Sequence, residues 1–187
     1  ALASKALGAK NVLAVLLPSQ FSSDHSISDS IQLVNNLGCK HEIISIENGF
    51  ETVQQSLKPL FNNLPFGLAE ENIQARLRGL YLMAISNKFG HILLNTTNKS
   101  EAAVGYGTLY GDMCGGLSVI GDLYKTEVYD LCRYINRFQE IIPDNIITKA
   151  PSAELRPNQK DSDSLPDYEV LDNLLLHYIN KSKSPDE

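Results

Sequence analysis

Asn11-Val12-Leu13-Ala14-Val15-Leu16-Leu17, closed by Pro18, carries a continuous apolar run. A strand in a parallel sheet reads this way, because helices cover both of its faces and no position is left for water. Working outward, residues 1–8 are helix-like, without the charged start and cleavage pattern of a signal peptide. Downstream, residues 19–24 form a polar loop. Ile27, Ile31, Val34 and Leu37 then recur at helical spacing, with Gly38 placed to cap the helix. Residues 41–46 read as a second strand and 50–60 as a helix. Residues 70–88 give the longest helical pattern, with Ile73, Leu77, Leu80 and Ala84 as its apolar stripe and Gly90 as its stop. Residues 91–94 read as a third strand. This order predicts an α/β fold: a doubly wound open parallel sheet with helices on both faces, in one domain over residues 1–187. Ligands of such sheets sit beyond the carboxyl ends of the strands. Here those ends lead into residues 19–24 and 95–101.

The second half is less regular. Residues 105–122 hold six glycines, too many for a plain helix. A helix is predicted over 125–136 with Val128, Leu131 and Ile135 inward. Residues 151–166 contain three prolines and many charges and read as a long loop, which in a compact domain is functional or disordered. Pro166 suits the N1 region of a last helix whose Val170, Leu171, Leu174, Leu175 and Tyr178 face the core. Residues 182–187 read as a frayed end.

Composition narrows the classes. With 187 residues, 43% of them hydrophobic, the chain can bury one sizeable core. No apolar run approaches the length of a membrane span. A net charge of -6 argues against a general nucleic-acid binder, although local cations can still attract an anionic small molecule. Cys39, Cys114 and Cys132 are odd in number and far apart, which suits a reducing, cytoplasmic setting with no disulfide frame or cysteine zinc site. The four histidines show no ligand spacing, and no Ser/His/Asp set can be read from order.

Several stretches can carry chemistry. Asn95-Thr96-Thr97-Asn98-Lys99-Ser100-Glu101 follows a strand and offers hydroxyls, amides and a carboxylate suited to a nucleotide and magnesium. The same letters also spell a capping box with Thr97 or Asn98 as N-cap. Gly105-Tyr106-Gly107-Thr108-Leu109-Tyr110-Gly111-Asp112 lets backbone approach a ligand, tyrosines stack on a ring and Asp112 bond an amide or ribose; a structural turn is the alternative. Lys125 sits where a helix should begin, against the helix dipole, which hints at a phosphate partner; an exposed lysine is the alternative. Arg76 and Arg78 lie two apart on the long helix and face different ways. One can clamp a phosphate or carboxylate and the other is solvated. Asp161-Ser162-Asp163-Ser164 reads as a solvated loop or a metal contact.

Taken together, Glu71-Asn72-Ile73-Gln74-Ala75-Arg76-Leu77-Arg78, residues 96–101, 105–112 and 121–126, Pro151-Ser152-Ala153-Glu154-Leu155 and residues 159–166 resemble the NAD synthetases of the N-type ATP pyrophosphatase superfamily, in the family's order. Residues 17–26 further resemble its glutamine-dependent branch. The resemblance implies an adenine nucleotide alpha hydrolase-like fold and a carbon–nitrogen ligase. ATP would adenylate nicotinic acid adenine dinucleotide, and ammonia, free or from a glutamine amidase domain, would attack the acyl-adenylate. It also implies a homodimer or larger homo-oligomer, with neither nucleic acid nor membrane as partner. Residue by residue, Glu101 matches the magnesium ligand, Thr96, Lys125 and Ser152 match ATP contacts, and Asn72, Arg76, Tyr106 and Asp112 match positions that bind the deamido-NAD substrate, partly across a dimer interface. Lys125 and Asp112 are the expected catalytic pair. The family's Ser-Gly-Gly-x-Asp-Ser loop does not occur in the sequence and is expected just upstream of Ala1, and a basic segment is expected beyond Glu187. Such a fragment is expected to be inactive alone. A GMP- or asparagine-forming ATP pyrophosphatase, or a non-catalytic dimerisation module, are the competing readings.

Overall fold

A computed structural model describes residues 1–184. The last three residues of the expected frayed end, 185–187, lie outside the described residues. Two short parallel ladders form the sheet component. Strand β1 (Leu13–Leu16) pairs with β2 (Lys40–Ile43). Strand β3 (Leu94–Asn95) pairs with β4 (Leu117–Ser118). The α/β class and the parallel pairing agree with the sequence reading, but the strands form two separate two-stranded ladders rather than one drawn-out sheet. The β1 residues are all half-buried instead of enclosed, since each strand has a neighbour along one edge only. Hydrogen bonds Ile44 N–H to the Leu16 carbonyl and Ile46 N–H to the Pro18 carbonyl carry the β1–β2 pairing through residues 44–46.

Around the ladders run α1 (Leu2–Leu7), α2 (Asp24–Leu37), α3 (Glu47–Phe61) and α4 (Leu68–Phe89). Next along the chain come α5 (Lys99–Val104), α6 (Lys125–Ile135), α7 (Asp144–Thr148) and α8 (Tyr168–Leu175). Gly38 ends α2 in the left-handed conformation at φ 67°, where a side chain would strain, and Gly90 ends α4 in the same way. Ile46 and Phe50 anchor the start of α3 at 0% and 1% exposure. Full burial of side chains this size contributes about 1.5–3 kcal/mol each. Helices α5, α6 and α8 pack against one another and form the base of the second half.

Four expectations need correction. The inward face of α4 is Glu70, Gln74, Ala75, Leu77 and Gly79, while Leu80 and Ala84 are exposed. Polar anchoring sets this rotation: the buried Gln74 amide donates to the Leu155 carbonyl at 2.8 Å and ties the 151–166 loop to the helix. Periodicity of apolar residues cannot register such an anchor. In α8, Val170 and Leu174 are exposed, as is Tyr178 beyond the helix end, while Tyr168, Leu171 and Asp172 are buried. Here too, polar partners for Tyr168 and Asp172 decide the roll. Pro166 stands two residues ahead of α8, before its N-cap Asp167, rather than at N1. Finally, only Leu94 of the predicted third strand is in a ladder, and its partner β4 lies in the glycine-rich stretch where no strand was expected.

Candidate active site

Strand β3 ends at Asn95, and its buried side chain organises the segments beyond the strand end. Its amide donates to the carbonyls of Asp112 at 3.1 Å and Cys114 at 3.3 Å, while its oxygen accepts the Thr97 N–H at 2.9 Å. The glycine-rich loop is thereby held against the strand end. Loop and α4 meet at Gly111, where a Cβ would lie 2.9 Å from the Ala75 carbonyl carbon. Only glycine allows that approach. The next residue, Asp112, accepts the Thr108 N–H at 2.9 Å, and the Thr108 hydroxyl donates to the Asn72 side-chain oxygen of α4 at 2.8 Å.

Asn98 caps α5: its side chain accepts the Glu101 N–H at 3.0 Å, and Glu101 Oε2 accepts the Asn98 N–H at 3.1 Å. The capping box is therefore real, yet Glu101 Oε1 remains free of it and lies 3.3 Å from Lys125 Nζ, both side chains being largely buried.

Lys125 is the first residue of α6. Its conflict with the helix dipole is relieved by anionic partners. The Lys125 N–H donates to Ser100 Oγ at 2.8 Å, the Thr126 N–H to Asp172 Oδ2 at 2.8 Å, and the Tyr124 N–H to Glu127 Oε2 at 2.8 Å. The ammonium group also lies 5.2 Å from the centre of the Tyr168 ring.

The 151–166 loop forms another wall. Buried Asp161 accepts the hydroxyls of Tyr106 at 3.1 Å and Tyr168 at 2.9 Å. Burial first, and the adjacent Asp161 carboxylate next, push both phenols above their ordinary range. Ser152 donates to the Gln159 carbonyl at 2.6 Å and accepts the Glu154 N–H at 3.1 Å, which folds the loop into a turn. Glu154, in the left-handed region at φ 51°, takes the hydroxyls of Ser23 at 2.8 Å and Ser26 at 2.6 Å.

These walls enclose a cavity of about 680 Å³. Seven of the eight sequence-derived residues line it: Asn72, Thr96, Glu101, Tyr106, Asp112, Lys125 and Ser152. Among the described residues the Thr96 hydroxyl makes no protein hydrogen bond. Arg76 is the exception. It is exposed outside this cavity, with its Nε donating to the Leu109 carbonyl at 3.2 Å. The arginine in the cavity wall is Arg78, which the sequence did not favour. Sequence reasoning also gave no role to Asp172, and it read Asp161 as part of a solvated loop or a metal contact. Asp172 falls outside every short motif; Arg78 ends the 71–78 stretch, but nothing in the sequence told it apart from Arg76 as the inward arginine; Asp161 was visible as part of an acidic run, but its tyrosine partners were not.

The NAD synthase family model matches residues 1–187.

The chain belongs to the NAD synthase family.

It is 58% identical over 187 residues to the glutamine-dependent NAD(+) synthetase of Synechocystis sp., covering all of this chain and 34% of that protein. It is 52% identical over 188 residues to the Thermotoga maritima glutamine-dependent NAD(+) synthetase, covering all of this chain and 33% of that one. This NAD synthase family chain thus spans about a third of the length of these curated relatives. Among solved structures, it is similar to the glutamine-dependent NAD+ synthetase from Acinetobacter baumannii in complex with ADP, at TM-score 0.78 and 40% identity, over 98% of this chain and 32% of that one. The NMN synthetase from Francisella tularensis gives TM-score 0.79 and 31% identity, over 87% of this chain and 65% of that one. The adenine nucleotide alpha hydrolase-like fold expected from the sequence is the fold of these neighbours.

Cys39, Cys114 and Cys132 are free thiols. Among the described residues no helix is long and apolar enough to cross a membrane.

Proposed function

We propose that this cavity is the synthetase site of an ATP-dependent NAD synthetase, a carbon–nitrogen ligase. One observation carries the reading: Thr96, Glu101, Lys125 and Ser152, from a strand end, two helices and a distant loop, line one cavity together with Asn72, Tyr106 and Asp112. A cavity joining a cation, a hydroxyl-rich rim and a separate polar wall suits a triphosphate beside a second nucleotide.

In this reading a carboxylate oxygen of nicotinic acid adenine dinucleotide attacks the α-phosphorus of ATP, and pyrophosphate leaves. Ammonia then attacks the acyl carbon, loses a proton, and AMP departs to give NAD. Lys125 offsets the negative charge that builds on the phosphates. Thr96 and Ser152 bond ATP, while Asn72, Tyr106 and Asp112 hold the deamido-NAD substrate, with Asp112 orienting its nicotinate end. Ammonia needs no general base. It comes from a glutamine amidase domain, as the names of the relatives suggest, or free from solution.

Among the described residues no group of three His, Cys, Asp or Glu side chains gathers to hold a metal unaided. A lone carboxylate such as Glu101 beside a phosphate site nevertheless fits Mg2+, which takes one or two carboxylates plus phosphate oxygens. When bound through Glu101, that ion would supply charge neutralisation on the phosphates. Lys125 holds the same carboxylate at 3.3 Å and would yield to it.

Arg76, with Leu80 and Met83, faces outward from α4. That face supports a homodimer in which Arg76 reaches the substrate of the neighbouring subunit. A cytoplasmic enzyme is in keeping with the same chemistry. The 187-residue chain lacks Ser-Gly-Gly-x-Asp-Ser and is expected to form no NAD by itself.

The test uses the full-length polypeptide that carries this chain, supplied with ATP, Mg2+, the acid dinucleotide and either ammonia or glutamine. NAD formation is expected. Preferential binding of XMP over the acid dinucleotide would instead favour a GMP-forming relative, and dimerisation with no nucleotide binding would favour a non-catalytic module. Because one structural neighbour is an NMN synthetase, the corresponding mononucleotide acid is the second comparator.

A further inference from the structure

Arg78 lies on α4 two residues after Arg76 and faces the interior. Its Nε donates to the Leu17 carbonyl at 2.9 Å, just past the carboxyl end of β1. Among the described residues no hydrogen bond or ion pair engages its two Nη nitrogens. Arg78 lines two cavities. One is the 680 Å³ candidate site; the other, of about 380 Å³, is bounded by Ala14, Leu16, Ser26, Leu33 and Glu154.

Burial pulls the Arg78 guanidinium below its ordinary pKa, and the charges opposing that pull are Glu154 and Asp112. Both carboxylates have other partners. Glu154 Oε1 takes the Ser23 and Ser26 hydroxyls, and its Oε2 takes the Ser23 N–H at 3.3 Å. Asp112 Oδ1 takes the Thr108 N–H. A largely buried cation without a bonded counter-ion is costly, and the cost is removed when an anion takes its open edge. Lys125 and Lys149 line the same cavity, so the local cations match a multiply charged anion better than a single carboxylate. The planar Nη edge suits two phosphate-type oxygens at once.

We propose that Arg78 is a phosphate-binding residue of this site, its open Nη edge holding the pyrophosphoryl oxygens of ATP and of the pyrophosphate that leaves. The assignment rests on the synthetase reading and deepens it. The alternative is a purely structural arginine that ties α4 to the end of β1.

The experiment titrates inorganic pyrophosphate into the full-length protein and its Arg78→Ala and Arg78→Lys variants. Ligand-free thermal melting and NAD formation are measured on the same preparations. Loss of one or two charge-assisted hydrogen bonds weakens binding by about 10- to 100-fold, and that loss is expected for Arg78→Ala. Arg78→Lys keeps the charge but not the fork and falls between. It also decides the matter if the alanine variant fails to fold. Unchanged pyrophosphate affinity in folded variants, even with a lower melting temperature, would overturn the assignment and leave the structural role. Absence of NAD formation by the unsubstituted protein speaks against the synthetase reading, whereas the pyrophosphate titration still judges Arg78.

Discussion

Ser100 donates its hydroxyl proton to Asp172 at 2.5 Å and accepts the Lys125 N–H at 2.8 Å, so one fully buried serine joins α5, α6 and α8. The second Asp172 oxygen accepts the Thr126 N–H at 2.8 Å. This network fixes the start of α6, and with it the position of Lys125 opposite Glu101. Truncation leaves buried donors without acceptors. Asp172→Ala is expected to destabilise the chain by about 2–4 kcal/mol, and Asp172→Asn by less, because its amide oxygen can still accept one bond. Urea unfolding measures both, and equal stability of all three proteins would contradict the network's role.

Lys125 and Glu101 should separate cleanly in kinetics. Removing a cation aimed at developing charge costs about 100- to 1,000-fold in kcat, and that is the expected loss for Lys125→Ala in the full-length protein. Glu101→Gln keeps the hydrogen bond to Asn98 but weakens an acidic ligand. Its expected signature is a higher Mg2+ concentration at half-maximal activity. Steady-state rates across a magnesium series check both.

Gly111 has no room for a side chain against Ala75 and Thr108. Overpacking at such a contact costs about 1–3 kcal/mol, so Gly111→Ala should lower stability and shift the neighbouring Asp112. Thermal melting reads the first effect, and a raised KM for the acid dinucleotide reads the second.

Alkaline pH tests the Tyr106–Asp161–Tyr168 cluster. Both phenols ionise at higher pH in the folded protein than in the unfolded chain. Their contribution to stability is therefore complete below the unfolded tyrosine value of about 10 and declines as pH rises above it. Melting temperature should fall on that side, with a shallower slope in Tyr106→Phe/Tyr168→Phe. Identical slopes in the two proteins would contradict the shifts.

The apolar runs and glycine stops were enough to read α2, α3, α4 and α6 and the first strand pair, because local burial and chain reversal leave a pattern within one element. They misread the rolls of α4 and α8. Gln74, Tyr168 and Asp172 turn those helices by bonding groups from distant segments, and a search for apolar stripes does not see such bonds. Strand β4 was missed because two residues of strand among glycines carry no period.

The motif order by itself determined the family and named seven residues that line one cavity, since their chemistry is written in side-chain type and spacing. Only the tertiary structure decided which of two neighbouring arginines enters that cavity, and that Asp172 anchors Lys125. Residues two apart on a helix face different ways, but which face meets the site depends on how the helix packs. That packing is fixed by partners far away along the chain.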